Sequence, residues 1–224
     1  MNTELTSAGA RSRRLRADKR AAIMRAARRV FGRDGYARSS VDAIAVEAAV
    51  STRTIYNHFA NKQELFAEVL RTSATEVADA FVATVARTVG DRPDLVPDLV
   101  AVGRALVAQR AEHGEHFAMM RHINIEAGHF PREVLATWRR AGPLRVQGEV
   151  AHQLGRLAGH GLLRVDDPDR AARHFIALVT AEITSRGDTA REPMSKDQVN
   201  AAIEAGVEAF LNGYAARQDP PARR

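Results

Sequence analysis

Residues 39–65 read SSVDAIAVEAAVSTRTIYNHFANKQEL, and their apolar spacing predicts two short helices joined by a tight turn. Ser39 or Ser40 is placed to cap the first helix and Ser51 to cap the second, because serine hydroxyls accept N–H groups at helix starts. Ala45 lies where the helices must approach closely, and Val50 is the apolar residue after the turn. The arrangement fits a helix-turn-helix, whose second helix can enter the major groove of DNA. A three-helix subdomain with an ordinary polar surface would show the same spacing, so the pattern alone leaves both interpretations open.

The second short helix has an inner and an outer face. Ile55 and Phe59, four residues apart, are predicted to face inward. The outward residues near the end that reaches base edges are then Thr52, Arg53 and Asn57. Arg53 suits guanine and Asn57 suits adenine, each contact being worth about 1–3 kcal/mol of discrimination. Phosphate oxygens accept hydrogen bonds from hydroxyl, imidazole and ammonium groups and from the backbone N–H groups at helix starts. The residues that suit such contacts are Ser40, Ser51, Thr54, Tyr56, His58 and Lys62.

The positive charge of the chain is concentrated in its first quarter. The formal net charge is +6, and residues 1–60 hold twelve Lys or Arg against five Asp or Glu. Residues 61–224 hold twenty-one against twenty-two, so they are close to neutral. A basic N-terminal module joined to a neutral remainder favours a polyanion partner for the first part. Cationic clusters are also common on solvated surfaces, so the charge alone does not decide the partner.

The composition places the chain among globular proteins. Its 224 residues are 45% hydrophobic and 27% charged, which is enough for a buried core without metal or disulfides. Because the chain has no cysteine, a disulfide scaffold and thiolate metal sites are excluded. No apolar run approaches the roughly 18 residues of a membrane span, and the N-terminus MNTELTSAGARSRRLR lacks the apolar stretch of a secretory signal. We therefore expect a cytoplasmic location.

Helical periodicity extends over almost the whole chain, and no stretch alternates convincingly with the period of a strand. We predict an all-α fold of about nine or ten helices, with a three-helix N-terminal domain followed by a C-terminal helical bundle. The first helix is predicted at 17–34 and stops at Gly35, and the long fourth helix runs from Asn61 to about Val89. The later helices are predicted at 94–111, 115–128, 132–160 with a division at Pro143, 169–186 and 196–215.

An ordered set of motifs runs through residues 17–70: Gly35-Tyr36, Ser40, Ile44-Ala45, Val50-Ser51, Tyr56, His58, Phe59, Lys62 and Glu64-Leu65. With these motifs the stretch resembles the DNA-binding domain of TetR-family transcriptional regulators. The resemblance implies that Tyr56, His58 and Lys62 bind phosphate. It also implies that the outward residues of the second short helix, which is the third helix of the chain, contact bases. One departure is Ala49, where the family commonly has glycine. Alanine is acceptable there if the backbone avoids positive φ.

The remainder resembles the family in architecture, as a variable all-helical domain for ligand binding and dimerisation. The predicted domains are a disordered basic arm (1–14), the helix-turn-helix domain (15–62), the ligand and dimerisation domain (63–217) and a disordered tail (218–224). A small-molecule site is predicted from aromatic, methionine and polar residues, namely His116, Phe117, Met120, Ile123, Asn124, Glu126, Phe130 and Trp138. Such a stripe at helical spacing is also typical of plain core.

The last two helices are predicted to form a four-helix bundle across a two-fold axis, as the resemblance implies. The candidate interface residues are Phe175, Val179, Ile183, Ala202, Ile203, Gly206 and Phe210. Small and large apolar groups along one side of a helix permit close packing. An intramolecular core explains the same pattern, and that alternative stays open.

Together these features predict a ligand-responsive transcriptional regulator that uses no cofactor, no metal and no catalytic residue. It is predicted to act as a repressor that binds a palindromic operator as a homodimer and is released by a small-molecule effector. A metal-dependent enzyme is one alternative, since His122, Glu126 and His129 are spaced to share one helix face. Against it, Gly128 and Pro131 place His129 at a helix end. A helical partner-binding protein that no longer engages DNA is the other alternative.

Overall fold

A computed structural model describes residues 3–126, 128, 130–187 and 194–215. Backbone alone is described for residues 3–13, 124, 126 and 187. This part of the chain forms ten α-helices, and its extended structure is limited to one isolated bridge between Leu163 and Ala215. The predicted all-α fold is therefore confirmed. None of the helices within these ranges is long and apolar enough to cross a lipid bilayer.

The N-terminal helices are α1 (Thr3–Arg38), α2 (Val41–Glu47), α3 (Thr52–Tyr56) and α4 (Lys62–Thr88). Inside α1 the helix is broken at Gly35, which takes φ 76 and ψ 172, so the predicted stop at this glycine is confirmed. Glycine lacks the Cβ that penalises positive φ, which explains why the chain turns here. The backbone is helical from Thr3 onwards, whereas the sequence predicts a disordered arm over residues 1–14. The leucine, alanine and arginine residues of this stretch are good helix formers.

The C-terminal helices are α5 (Leu95–Glu112), α6 (Gly114–Glu126), α7 (Arg132–Ala141), α8 (Pro143–Gly159), α9 (Pro168–Gly187) and α10 (Lys196–Tyr214). Pro143 starts α8, in the first-turn position where its missing N–H costs nothing, and it separates α7 from α8 as predicted. A capping box begins α10. Ser195 Oγ accepts from the Gln198 amide at 3.2 Å, and Gln198 Oε1 accepts from the Ser195 amide at 2.9 Å. The predicted disordered tail, 218–224, lies outside the described residues.

The chain divides into two compact units, and the first combines Met1–Thr75 with His113–Ala141. Its core draws on α1, α2, α3 and the start of α4, and also on α6 residues such as Met119. α6 lies so close to α1 that a Cβ at Gly32 would sit 3.2 Å from the Glu115 carbonyl oxygen. The helices α6 and α7 therefore belong with the helix-turn-helix, whereas the predicted domain boundary assigns them to the second domain.

The second unit combines Glu76–Glu112 with Gly142–Arg224. Its core is filled from the end of α4 and from α5, α8, α9 and α10. α9 and α10 approach closely at Gly206, where a Cβ would lie 2.7 Å from Val179 Cα. A side chain of any size at this position would collide with backbone, so the two helices form a pair that depends on glycine.

Candidate nucleic-acid interface

Serine caps begin both helices of the turn. Ser40 has an extended backbone, and its Oγ accepts from the Ala43 amide at 3.1 Å at the start of α2. Ser51 does the same at the start of α3, where its Oγ accepts from the Thr54 amide at 3.1 Å. The Ser51 and Thr54 hydroxyl oxygens also lie 2.9 Å apart. These caps satisfy N–H groups that have no partner inside the helix, and they fix where α2 and α3 begin.

The turn between α2 and α3 passes through Ala49, which takes φ 52. The turn is closed by the Val50 amide, which donates to the Ala45 carbonyl oxygen at 3.0 Å. A residue with a Cβ is disfavoured in this left-handed conformation by roughly 1–2 kcal/mol. The condition that makes alanine acceptable here, a backbone without positive φ, is therefore not met.

The two faces of α3 differ as the sequence predicts. Ile55 is 1% exposed, and Phe59 is buried just beyond the helix. Arg53 and Asn57 are exposed, and Thr52 is half-buried. Of the predicted phosphate contacts, the exposed residues are Ser40, Ser51 and Tyr56, and the half-buried ones are Thr54, His58 and Lys62.

A cleft of about 590 Å³ lies between α1 and the region of α3. Its lining consists of Leu15, Arg16, Lys19, Thr54, Asn57 and His58. The cleft thus brings three of the predicted DNA contacts together with two cations of α1. Arg16 and Lys19 are absent from the sequence candidates, although the positive excess of the first quarter of the chain is a signal that points towards them.

The surroundings of His58, in the wall of this cleft, favour its neutral form. Partial burial lowers the pKa of its imidazole, and the positive charges of Arg16, Arg20 and Lys19 lower that pKa further. A neutral imidazole keeps one N–H donor. His58 can therefore donate to a phosphate oxygen without a charge of its own, while the cations beside it supply the electrostatic attraction.

Ion pairs connect α1 to the helices that follow it. Arg29 Nε donates to Glu47 Oε1 at 2.8 Å and joins α1 to α2. Arg20 donates to Glu68 Oε1 at 2.8 Å and joins α1 to α4, with its guanidinium 5.2 Å from the ring centroid of Phe59. Exposed pairs of this kind contribute about 1 kcal/mol or less each. Their effect is to orient the helices around the turn rather than to stabilise the unit strongly.

Lys62, the first residue of α4, contacts the turn between α1 and α2. Its Nζ donates to the Tyr36 carbonyl oxygen at 2.7 Å and to the Ser39 carbonyl oxygen at 2.8 Å. The same ammonium lies 4.4 Å from the centroid of the Tyr36 ring. The group that the family resemblance assigns to phosphate is thus engaged with the protein itself, and its phosphate contact stays a prediction.

Two family models match this chain. The model for bacterial regulatory proteins of the tetR family matches residues 23–69, and the model for the C-terminal domain of AefR-like transcriptional repressors matches residues 97–216. The second match alone covers more than half of the chain. The chain belongs to the TetR family. It is therefore a DNA-binding transcriptional regulator, and its helix-turn-helix is the part that the tetR model covers.

Known regulators resemble this TetR-family chain over most of its length. The HTH-type transcriptional regulator TcmR of Streptomyces glaucescens is 27% identical over 213 residues, which cover 90% of this chain and 86% of TcmR. A TetR-family transcriptional regulator from Mesorhizobium loti has a TM-score of 0.78 at 28% identity, covering 89% of this chain and 98% of its own. The flavonoid-responsive regulator FrrA has a TM-score of 0.68 at 26% identity, covering 90% and 100% of the two chains.

The apolar residues predicted to contact a small molecule lie in the first unit of the TetR-family chain. Ile123 and Phe130 are buried in its core, and Phe130 stacks on Phe66 with ring centroids 4.9 Å apart. Met120 and Trp138 are half-buried against the same core. The alternative of plain core describes these four side chains, and effector contact stays a prediction for them.

The remaining residues of that predicted site are Phe117 and three polar residues, of which the structure describes only His116 in full. His116 is 5% exposed, and its Nδ1 lies 2.9 Å from Ser73 Oγ. Burial lowers the pKa of His116 to about 4, so its imidazole is neutral at physiological pH. Phe117 is half-buried and meets the His116 ring edge to face. The side chains of Asn124 and Glu126 lie outside what the structure describes.

The residues predicted at a dimer interface lie mostly inside the second unit. The buried ones are Phe175, Val179, Ala202, Ile203, Gly206 and Phe210, and Ile183 is half-buried. They fill the space between α9, α10 and the rest of the core, and their contact with a partner subunit stays a prediction. The open alternative of an intramolecular core therefore describes them. The exposed apolar residues of the same two helices are Ala177, Leu178, Ala181, Ala201, Ala205 and Ala209.

The histidine cluster behind the enzyme alternative is not described in full. His129 and the side chain of Glu126 lie outside the described residues, and His122 is half-buried. Among the side chains that the structure does describe, no three His, Cys, Asp or Glu residues come together as a metal site requires. The metal-dependent alternative gains no support from this part of the chain.

Proposed function

We propose that this TetR-family regulator is a ligand-responsive repressor that binds a palindromic operator as a homodimer. A small-molecule effector releases it from the operator. Because its partner is bacterial DNA, we place the protein in the cytoplasm.

The proposal rests on the exposed side of α3 beside the basic cleft. Arg53 and Asn57 are exposed there and have the donors and acceptors that distinguish bases in the major groove. Arg16, Lys19 and His58 line the adjoining cleft and suit backbone phosphates, which give affinity and register but no sequence information. In this proposal α3 selects the sequence and the cleft holds the backbone.

For the dimer we propose the outer faces of α9 and α10 as the interface. Leu178 is 39% exposed on α9, and the other exposed apolar residues of α9 and α10 are alanines, which have little side-chain bulk. Small exposed side chains allow two helix pairs to approach closely, and a two-fold axis presents the same face from each subunit. A dimer formed in this way would read two inverted half-sites.

A small-molecule effector is supported by two proteins that share this fold. FrrA is a flavonoid-responsive regulator, and a transcriptional regulator from Saccharomonospora viridis was solved in complex with choline. Because these compounds differ in chemistry, the comparison supports response to an effector without naming one. An effector that favours a DNA-incompetent state needs a coupling of about 1–3 kcal/mol to release the operator.

The first test is selection of duplexes from a random-sequence library, followed by binding measurements on the selected duplex and on a scrambled one. Arg53→Ala is expected to weaken binding to the selected duplex by about 5- to 150-fold and to relax the preference at one base position in each half-site. Both effects are expected because the variant lacks the guanidinium that pairs with a base edge.

Arg16→Gln is the matched control, since it removes a cation from the cleft and leaves α3 intact. It is expected to weaken binding to both duplexes alike. The salt slope, which is the steepness with which the logarithm of the binding constant falls with the logarithm of salt concentration, should decrease by about 0.9 for each phosphate that is no longer neutralised. If Arg53→Ala leaves both affinity and preference unchanged, α3 is not the reading helix. If the parent protein ignores duplexes even in dilute buffer, the proposed function is wrong.

A further inference from the structure

The turn between α1 and α2 offers backbone carbonyl groups to a cation. Gly35 breaks the helix with φ 76, and the short segment after it ends just before α2. Carbonyl groups at the end of a helical segment have no partner inside the helix, and they attract positive charge. Lys62 Nζ lies within hydrogen-bond distance of two of them, those of Tyr36 and Ser39, at 2.7 and 2.8 Å.

The residues that Lys62 holds come directly before the helix-turn-helix. Ser39 is 6% exposed, and its Oγ donates to the Tyr36 carbonyl oxygen at 2.7 Å. Ser40, the next residue, caps α2. The position of the α2 start is thus tied to the first residue of α4 through one side chain.

The Tyr36 ring extends this connection into the core of the first unit. Its centroid lies 4.9 Å from that of Phe66 and 5.2 Å from that of Phe130, while Lys62 Nζ sits 4.4 Å from it. Lys62 therefore contacts both the backbone and the ring of a residue that is packed on several sides. Moving the ammonium outward to a phosphate would break two hydrogen bonds and a cation–π contact together.

We propose that Lys62 is a positioning residue of the DNA-reading part of the chain (the reading head, α1 to the start of α4). Its side chain joins the α1–α2 turn to the start of α4 and does not act as a ligand of DNA phosphates. The inference rests on the proposed operator binding. A lysine ammonium has three donors, and the two carbonyl groups leave at most one for any other acceptor. Loss of Lys62 displaces α2, and with it the docking of α3 in the groove.

The test compares Lys62→Met with Arg16→Gln on the duplex selected by the parent protein and on a scrambled duplex, over a range of salt concentrations. Circular dichroism first establishes a temperature at which all variants are folded. For Lys62→Met we expect the affinity for the selected duplex to fall about tenfold or more. The ratio of the affinity for the selected duplex to that for the scrambled duplex should also fall, while the salt slope should stay unchanged. For Arg16→Gln we expect an unchanged ratio and a slope lowered by about 0.9 for each phosphate that the variant leaves unneutralised. Lys62→Arg keeps donors for both carbonyl groups and is expected to restore the ratio.

Hydrogen exchange in the absence of DNA provides a second measurement. Lys62→Met is expected to speed exchange of the α2 amides, and Arg16→Gln is expected to leave them unchanged. A lowered salt slope with an unchanged affinity ratio for Lys62→Met would make Lys62 a phosphate ligand and overturn the proposal. Unchanged α2 exchange would also overturn it. If the parent binds no duplex, the proposed function fails, while the exchange result still decides the role of Lys62.

Discussion

Ala49 is the residue at which the helix-turn-helix stores backbone strain, since its φ is 52. Ala49→Gly removes a cost of about 1–2 kcal/mol and adds about 0.4–1 kcal/mol of entropy to the unfolded chain. We therefore expect the variant to gain about 0.5–1 kcal/mol in the free energy of unfolding, measured by urea denaturation.

Ala48→Gly is the matched control, because Ala48 precedes the turn with an ordinary φ of −86. There glycine relieves no strain, adds freedom to the unfolded chain and removes a half-buried methyl group that packs on the core, so stability should fall by about 1 kcal/mol. A change of the same sign in both variants would show that the conformation of Ala49 is not strained.

His116 makes the stability of the protein depend on pH. Burial, followed by the positive charge of Arg28 and the neighbouring His113, lowers the pKa of its imidazole to about 4, below the ordinary value of 6.5. Between pH 6.5 and pH 4 the unfolded chain binds a proton that the folded chain does not. The free energy of unfolding should therefore fall as the pH decreases, by about 1.4 kcal/mol for each pH unit from this group.

His116→Gln removes this titration and keeps a polar side chain near Ser73. The variant is expected to lose about 2 kcal/mol less than the parent between pH 7 and pH 5, measured by urea denaturation at both values. Parallel pH curves for the two proteins would mean that His116 titrates alike in the folded and unfolded states.

At the scale of helices, the α9–α10 pair depends on one glycine. A Cβ at Gly206 would lie 2.7 Å from Val179 Cα and 2.8 Å from the Leu178 carbonyl oxygen. Because backbone must move to admit it, Gly206→Ala is expected to cost about 1–3 kcal/mol of stability, seen as a lower thermal midpoint. Gly213→Ala in the same helix meets nothing within 4 Å and should be neutral or slightly stabilising. Equal effects of the two changes would contradict the close approach.

Helix positions were predictable because their ends carry local signals. Ser51 caps α3 where the sequence predicts it, Ser40 is the one of two candidate serines that caps α2, and Gly35 breaks α1. The exposure of Arg53 and Asn57 follows from their spacing relative to the inward Ile55. These features depend on residues a few positions apart, which a sequence displays directly.

Partners between distant helices were not predictable in the same way. An apolar stripe shows that one face of a helix is buried, but it does not show which element covers it. For this reason Ile123 fits a predicted effector site by sequence but packs in the core around the reading helix, and Phe175 fits a dimer interface but lies inside one subunit. Arg16 and Lys19 meet α3 only through folding, so their spacing gives no sign of the cleft.

At the scale of the whole molecule, the proposed dimer gives a direct test. Leu178→Arg places a charge on the exposed face of α9, where burial against a partner subunit would leave it unpaired and cost several kcal/mol. We expect the variant to sediment as a monomer at concentrations where the parent is a dimer, with the same helical content by circular dichroism at a temperature where both proteins are folded. Val96→Arg, at an exposed apolar residue of α5, should leave the dimer intact. An unchanged sedimentation coefficient for Leu178→Arg would place the interface elsewhere.

The first unit is made from two separate stretches of chain, 1–75 and 113–141. A fragment cut after the first stretch would leave Phe31 and Phe66 without the aromatic and aliphatic cover that the second stretch supplies. Recombination that exchanged the DNA-reading helices between such regulators would therefore have to exchange α6 and α7 as well, at a second pair of breakpoints. Otherwise the incoming helices would need an apolar surface that fits the α6 and α7 already present. Sequence specificity and the middle of the chain are expected to be inherited together.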